Sequence, residues 1–439
     1  MDEHTANWDP GLEYASLTDV GLRRANNQDS LAVVLAGSPE KWRQRGHLFI
    51  VADGMGAHAA GERASKLATD VVPLTYHKLI DHSLPDALAA AVVDANRQIN
   101  ARGQASDDFR GMGTTISALV LSPGGALAAH VGDSRVYRWR DDRLEQLTFD
   151  HSLVWELKAA QQDPEAEIPS FIPKNVITRS LGPNPDVQVD LEGPFPAQVG
   201  DIFLLCSDGL SGPVSDEEIG TILGCLTPEQ AARALVDLAN LRGGPDNITV
   251  IVVRVAGPEA VSGPAAKTAR PRSRTARRPV SPLTWTLLGG FALGAVGLVV
   301  AGYEELALAS LIGAVATGVA ALVRRFGGDR DTCEFAGLPL GKGPYTARHC
   351  TADARFVDRL VELTHQLRDA AIQEAWVVDW NRFNAHYDRA LAAALAADHT
   401  EAVREHCHAV SFMMSELRGQ RGRQSPGFPG TSAWPEGAS

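Results

Sequence analysis

Between Thr114 and Arg140 three β-rich runs, Thr114–Leu121, Leu127–Val131 and Arg135–Arg140, follow one another through the turns Ser122-Pro-Gly-Gly125 and Gly132-Asp-Ser134. Connections that short can join only antiparallel neighbours, because a parallel crossover needs a dozen or more residues. A doubly wound parallel sheet is therefore excluded for this part of the chain. Leu48–Ala52, Ile202–Leu205 and Ile248–Val255 add strand candidates, while Ala60–Ile80, Leu84–Arg102 and Pro228–Leu241 carry helical periodicity. The pattern predicts an α+β domain, antiparallel sheet flanked by helices, over residues 1–257.

The remainder divides by composition. Residues 258–282 hold five prolines and six Lys/Arg with little that is apolar, so they read as an extended basic linker. Two uncharged apolar stretches follow, Leu283–Tyr303 and Leu306–Val323, of 21 and 18 residues, interrupted only by Glu304 and Glu305. At ~1.5 Å per residue these are close to the ~30 Å hydrocarbon core of a bilayer. They predict a transmembrane helical hairpin over 283–323. A buried hairpin within a soluble domain is the alternative, and it is opposed by the missing polar face. Basic residues flank the pair on both outer sides and the turn is acidic. The positive-inside rule then predicts a multi-pass cell-membrane protein with both ends cytoplasmic. Residues 324–418 show apolar stripes at helical spacing, among them Phe356, Leu360, Leu363 and Leu367, and Trp376, Trp380, Phe383 and Tyr387. They predict a small all-α cytoplasmic domain, and the Gly/Pro/Ser-rich residues 419–439 a disordered tail.

A net charge of −12 argues against nucleic acid as a partner. Five cysteines without a CxxC pair suit a reducing compartment, and the acidic start lacks the apolar region of a secretory signal. No cysteine is followed by arginine at the sixth position, which excludes a Cys-x5-Arg phosphatase. Cys333, His349, Cys350, His406, Cys407 and His408 match no standard zinc spacing, so no zinc site is expected from them.

Chemistry is concentrated elsewhere. Four aspartates stand beside strand ends and glycines: Asp53 in FIVADGMG, Asp133 in HVGDSRVY, Asp208 in LLCSDGLS and Asp246 in GGPDNIT. Convergent strand-end carboxylates offer the hard oxygen ligands that Mg²⁺ and Mn²⁺ prefer, and a pair of such ions can activate water for attack on phosphorus.

The segments TDVGLRRANNQDS, FIVADGMGAHAAGERAS, GMGTTISALVL, HVGDSRVYR, LTFDHSLV, NVITRSLG, GDIFLLCSDGLSG and GGPDNITVIVV, in that order over residues 18–253, resemble the motif series of the bacterial protein phosphatase 2C family. The resemblance implies an α-β-β-α sandwich of two antiparallel sheets. It also implies hydrolysis of protein phosphoserine and phosphothreonine by a metal-bridged water, with two or three Mn²⁺ or Mg²⁺ ions. By the same resemblance Asp53, Gly54, Asp208, Asp246 and Asp133 are the metal residues. Arg24 grips the substrate phosphate, and Asp29, catalytic together with Asp53, orders a metal-bound water. The implied partners are phosphorylated proteins and an opposing serine/threonine kinase. The alternative is a weakly active phosphoprotein-binding or scaffold module.

Two positions depart from the family pattern. Gln28 stands where many members carry glutamate, and Met55 where eukaryotic members carry a histidine proposed as general acid. His58 lies nearby, and the leaving-group proton donor is left unassigned.

Overall fold

The computed structural model describes residues 8–56, 59–161, 172–173, 176–260 and 340–424, and these carry the account below. His58 and the expected hairpin, 283–303 and 306–323, lie outside the described residues. Among the described residues no helix is long and apolar enough to cross a membrane.

Two antiparallel sheets form the centre. In the first the order is β1 (Leu12–Asp19), β11 (Ile248–Val255), β10 (Ile202–Cys206), β7 (Arg135–Arg140), β8 (Arg143–Gln146) and β12 (Thr346–His349). The second runs β2 (Asp29–Val34), β3 (His47–Met55), β5 (Ile116–Ser122), β6 (Gly125–Val131) and β9 (Asp190–Phe195), with the short β4 (Gly113–Thr114) paired to β3. Alternation along β3 explains the layering. Phe49 and Val51 point between the sheets, meeting Phe203, Leu205, Ile251 and Val253. Leu48, Ile50 and Ala52 point the other way, onto α2 (Ala60–Lys78) and α3 (Leu84–Ala105). Both faces are covered, so the strand reads as an unbroken apolar run.

The outer face of the first sheet is covered by α6 (Asp216–Cys225) and α7 (Pro228–Leu241), each opened by a capping box, Ser215 with Glu218 and Thr227 with Gln230. The shorter helices are α1 (Pro39–Arg45), α4 (Leu153–Gln161) and α5 (Asp208–Ser211). The order α-β-β-α agrees with the expected sandwich.

The C-terminal segment departs from the expectation of a separate all-α domain. Its helices α8 (Ala354–Gln373), α9 (Trp380–Leu395) and α10 (His399–Gln424) follow the expected stripes. Phe356, Val357, Leu360, Ala402, Val403 and Cys407, however, are buried in the same core cluster as Ile219, Ile222, Leu235 and Leu238 of α6 and α7. Residues 346–349 add the edge strand β12 to β8, and just before it Glu192 accepts hydrogen bonds from the Lys342 and Gly343 amides and the Tyr345 hydroxyl (3.0, 2.9 and 2.6 Å). The helical part also runs past the expected boundary at 418. Arg418 pairs with the fully buried Asp237 at 2.6 Å, and Gln420 exchanges hydrogen bonds with the backbone of Val377, so 419–424 continue α10. Residues 8–260 and 340–424 therefore belong to one packed unit.

Candidate active site

The expected site residues reach one end of the sandwich from both sheets. Asp29 opens β2 and lies directly across from Asp53 on β3. Asp133 follows β6, Asp208 follows β10 as the first residue of α5, and Asp246 precedes β11. Asp53 feels the charges of Asp29, Asp208, Asp133 and Asp246. All five carboxylates are thus brought together. Arg24 stands at the rim, about half exposed, with Nη2 donating to Asp246 Oδ2 at 2.6 Å and Asp53 and Asp208 within electrostatic reach.

Backbone packing requires glycine at Gly54. A Cβ there would lie 2.2 Å from the Gly61 carbonyl oxygen and 2.4 Å from that of Gln28, so β3, the Gln28 backbone and helix α2 can meet this closely only without a side chain. At Gly209 a Cβ would lie 1.9 Å from the Asn247 carbonyl oxygen, which seats α5 against the start of β11. The glycines hold the aspartates together by letting backbones touch.

Side chains without an expected role complete the frame. Asn247, buried, donates from Nδ2 to the carbonyls of Val20 and Asn26 (2.9 and 3.0 Å) and accepts from the Gln28 amide (2.8 Å). One amide side chain thus closes the 20–28 loop that carries Arg24. Ser207 donates to Asp29 Oδ2 at 2.8 Å while accepting from the Thr249 amide. Thr115 accepts from the Asp53 amide and meets Ser134, next to Asp133, at 2.7 Å. Arg135 grips both oxygens of the buried Asp150. His151 joins the Gly132 amide to Asp190, which Arg179 holds at 2.6 Å. Each of these lies in or beside a motif noted above, but their partners are far away in sequence. The Gln28 side chain reaches the Gly56 carbonyl at 3.4 Å.

Burial dominates the electrostatics of the cluster, and mutual repulsion adds to it. Asp29 is pushed up to about 7 by burial, partly offset by hydrogen bonds from Thr249 and Ser207. Asp133 is pushed up to about 8 by burial and by the charges of Asp208 and Asp150. Burial and Asp246 raise Asp208; burial and the four neighbouring carboxylates raise Asp53 well above the usual carboxylate range. Oδ1 of Asp29, Asp133 and Asp208 are buried oxygens with no protein hydrogen-bond partner. Unpartnered buried acceptors in a cluster of like charge fit divalent cations, which satisfy the oxygens and cancel the repulsion together. An all-oxygen donor set suits Mg²⁺ or Mn²⁺.

Residues 23–238 match the family model for protein phosphatase 2C. A putative protein phosphatase 2C-type of Streptococcus pyogenes is 40% identical over 250 residues, 55% of this chain and 97% of that protein. The crystal structure of the Mycobacterium tuberculosis serine/threonine phosphatase PstP/Ppp shares 38% identity and covers 56% of this chain and 99% of its own, with a TM-score of 0.50. A second structure, the catalytic domain of PstP in complex with two manganese ions, shares 37% identity over 55% of this chain and 97% of its own, with a TM-score of 0.47.

Proposed function

This chain belongs to the protein phosphatase 2C family, and on that premise we propose that it removes phosphate from phosphoserine and phosphothreonine of proteins at the cytoplasmic face of a membrane, opposing a serine/threonine kinase. The enzyme is a metal-dependent protein-serine/threonine phosphatase, and its metal is Mn²⁺ or Mg²⁺. The observation that carries the site assignment is the meeting of five carboxylates with three unpartnered buried oxygens beside an exposed guanidinium.

In this reading Asp53, Asp133, Asp208, Asp246 and the Gly54 carbonyl hold the ions. Bound there, the ions supply Lewis acidity, lowering the pKa of water and neutralising phosphate charge. Asp29, fixed through Oδ2 by Ser207, keeps Oδ1 free to orient water and take up a proton. Arg24, aimed by Asp246 and by the loop that Asn247 closes, supplies planar N–H donors to phosphate oxygens. Phosphoryl transfer needs this positioning and charge neutralisation more than covalent chemistry.

The test is phosphate release from phosphoserine and phosphothreonine peptides by the full chain, with and without Mn²⁺. Metal-dependent release is expected; peptide binding without release would instead make the chain a phosphoprotein-binding module. In the same assay Arg24→Ala should lose a charge-assisted hydrogen bond worth about 1.5–3 kcal/mol, roughly a 10–150-fold drop in kcat/KM. Metal affinity should change much less. If metal binding is lost and KM is untouched, the phosphate role is wrong.

The membrane part rests on the two apolar stretches and their basic flanks. The chain leaves that unit after Ala260 and rejoins it at Leu340, which bridges to Gly193. Both ends of the intervening segment are fastened to one body, so any membrane crossings must be even in number. A pair of crossings meets that condition. Reporters placed at the N-terminus and after Ser439 should both report cytoplasm, and one inserted at Glu304 the outside. Fractionation of the full-length protein as soluble without detergent would remove the anchor.

A further inference from the structure

Away from the carboxylate cluster, the C-terminal helices bring together three ligands of a different kind. His386 lies on α9, while Glu405 and His408, one helical turn apart, share a face of α10. His386 Nδ1 is 2.7 Å from Glu405 Oε2, and Glu405 Oε1 is 3.7 Å from His408 Nδ1. The three donor atoms all lie within 4.8 Å of one another. The Glu405 carboxylate is buried and the two imidazoles are partly exposed, with their rings 5.4 Å apart, edge to face. The intervening residues turn away: His406 faces Thr364 and Tyr387, and Cys407 is buried in the core beneath α10.

A cation already sits among these groups, and it fits them imperfectly. Arg389 Nη2 is 2.8 Å from His386 Nδ1 and 2.9 Å from Glu405 Oε2. Nδ1 cannot accept from the guanidinium and donate to the carboxylate at once. With Nδ1 protonated, two N–H groups face each other. With Nδ1 bare, two lone pairs 2.7 Å apart share one singly charged donor. A divalent ion would accept both lone pairs and that of His408 together. The Arg389 side chain is about half exposed, so it can leave for solvent.

We propose that His386, Glu405 and His408 form a second metal site in which a Zn²⁺-class ion displaces the Arg389 guanidinium and ties α9 to α10. Two imidazoles and one carboxylate, with a position left open to solvent, suit Zn²⁺ and its transition-metal neighbours. The all-oxygen cluster at the end of the sandwich suits Mg²⁺ or Mn²⁺, so the two sites differ in chemistry as well as place.

Equilibrium dialysis of the full-length protein against Zn²⁺, with Mg²⁺ saturating, tests this. Wild type should retain one Zn²⁺ equivalent more than His386→Ala or His408→Ala, because loss of a ligand should weaken binding at least as much as loss of an outer-shell partner, about 10–100-fold. Arg389→Met, which removes the competing cation, should bind that equivalent several-fold more tightly than wild type. Unchanged Mg²⁺-dependent phosphatase activity in all three variants reports intact folding. Equal Zn²⁺ retention by wild type, Arg389→Met and the His386→Ala/His408→Ala double variant would overturn the site and leave Arg389 as a structural ion-pair partner.

Discussion

Asp53→Asn and Asp208→Asn should each remove phosphatase activity by about a thousandfold or more, beyond the loss of a single transition-state donor, while making the metal-free protein more stable above neutral pH. The two effects share one cause. Asp53 is surrounded by Asp29, Asp208, Asp133 and Asp246, and burial together with their repulsion raises its pKa. A carboxyl whose pKa is raised on folding holds its proton in the native state after the unfolded chain has released it. Stability of the metal-free protein therefore falls as pH rises through the window from about 4, the unfolded carboxylate value, to the folded values near 7 for Asp29 and 8 for Asp133. Mn²⁺ or Mg²⁺ reverses that loss, so the metal-induced rise in Tm should be larger at pH 8 than at pH 5.5, where protons compete for the same oxygens. Replacing one carboxylate by an amide relieves part of the repulsion and also removes a ligand. Calorimetry with and without metal at both pH values, alongside peptide dephosphorylation, checks both halves. A folded Asp53→Asn protein with near wild-type turnover would remove Asp53 from the metal site, and a Tm shift independent of pH would mean the cluster does not hold the ions.

The parts of this site that could be read from the sequence are those whose chemistry is local. An apolar strand ending in Asp-Gly announces a carboxylate at a sheet edge, and so Asp53 and Asp208 stand out without a structure. Asn247, Ser207 and Thr115 do not, because what they do depends on partners up to 227 positions away. The resemblance singles out Gly54, yet the packing reason for a glycine there, contact with the Gly61 and Gln28 backbones, appears only when α2 is in place. The fold divides in the same way. Tight turns and short, unbroken β-rich apolar runs identify the central strands, which are buried on both faces. Thr346–His349 is four residues at a sheet edge, partly polar, and becomes a strand because β8 offers it unpaired backbone. The helical stripes beyond residue 350 predict helices correctly but do not say what the stripes face. His386, Glu405 and His408 fit no familiar ligand spacing because two helices, rather than one loop, bring them together.

What those stripes face has a measurable consequence at Phe356. Its ring is 2% exposed, on α8, in the core that α6 and α7 of the phosphatase domain share with α10. Phe356→Ala removes a buried aromatic side chain and should cost about 3–5 kcal/mol. Because the cluster is common property, the loss should be felt by the whole unit rather than by a C-terminal appendage. In urea, phosphatase activity, helical circular dichroism and intrinsic fluorescence should be lost together in wild type, and together at a lower midpoint in the variant. Cys350, packed beside α6, and the Arg418–Asp237 pair bind the same surfaces from either end of the segment, which favours one transition over two. An early transition that spares activity would show that residues 340–424 fold and unfold on their own. A single transition has a further meaning for folding. The unit cannot complete its core until residues 340–424 have returned to the first sheet and its helices, so folding of the phosphatase depends on that C-terminal segment. Cutting the chain after Ala260 should then leave the apolar outer face of α6 and α7 uncovered, with loss of solubility as well as stability.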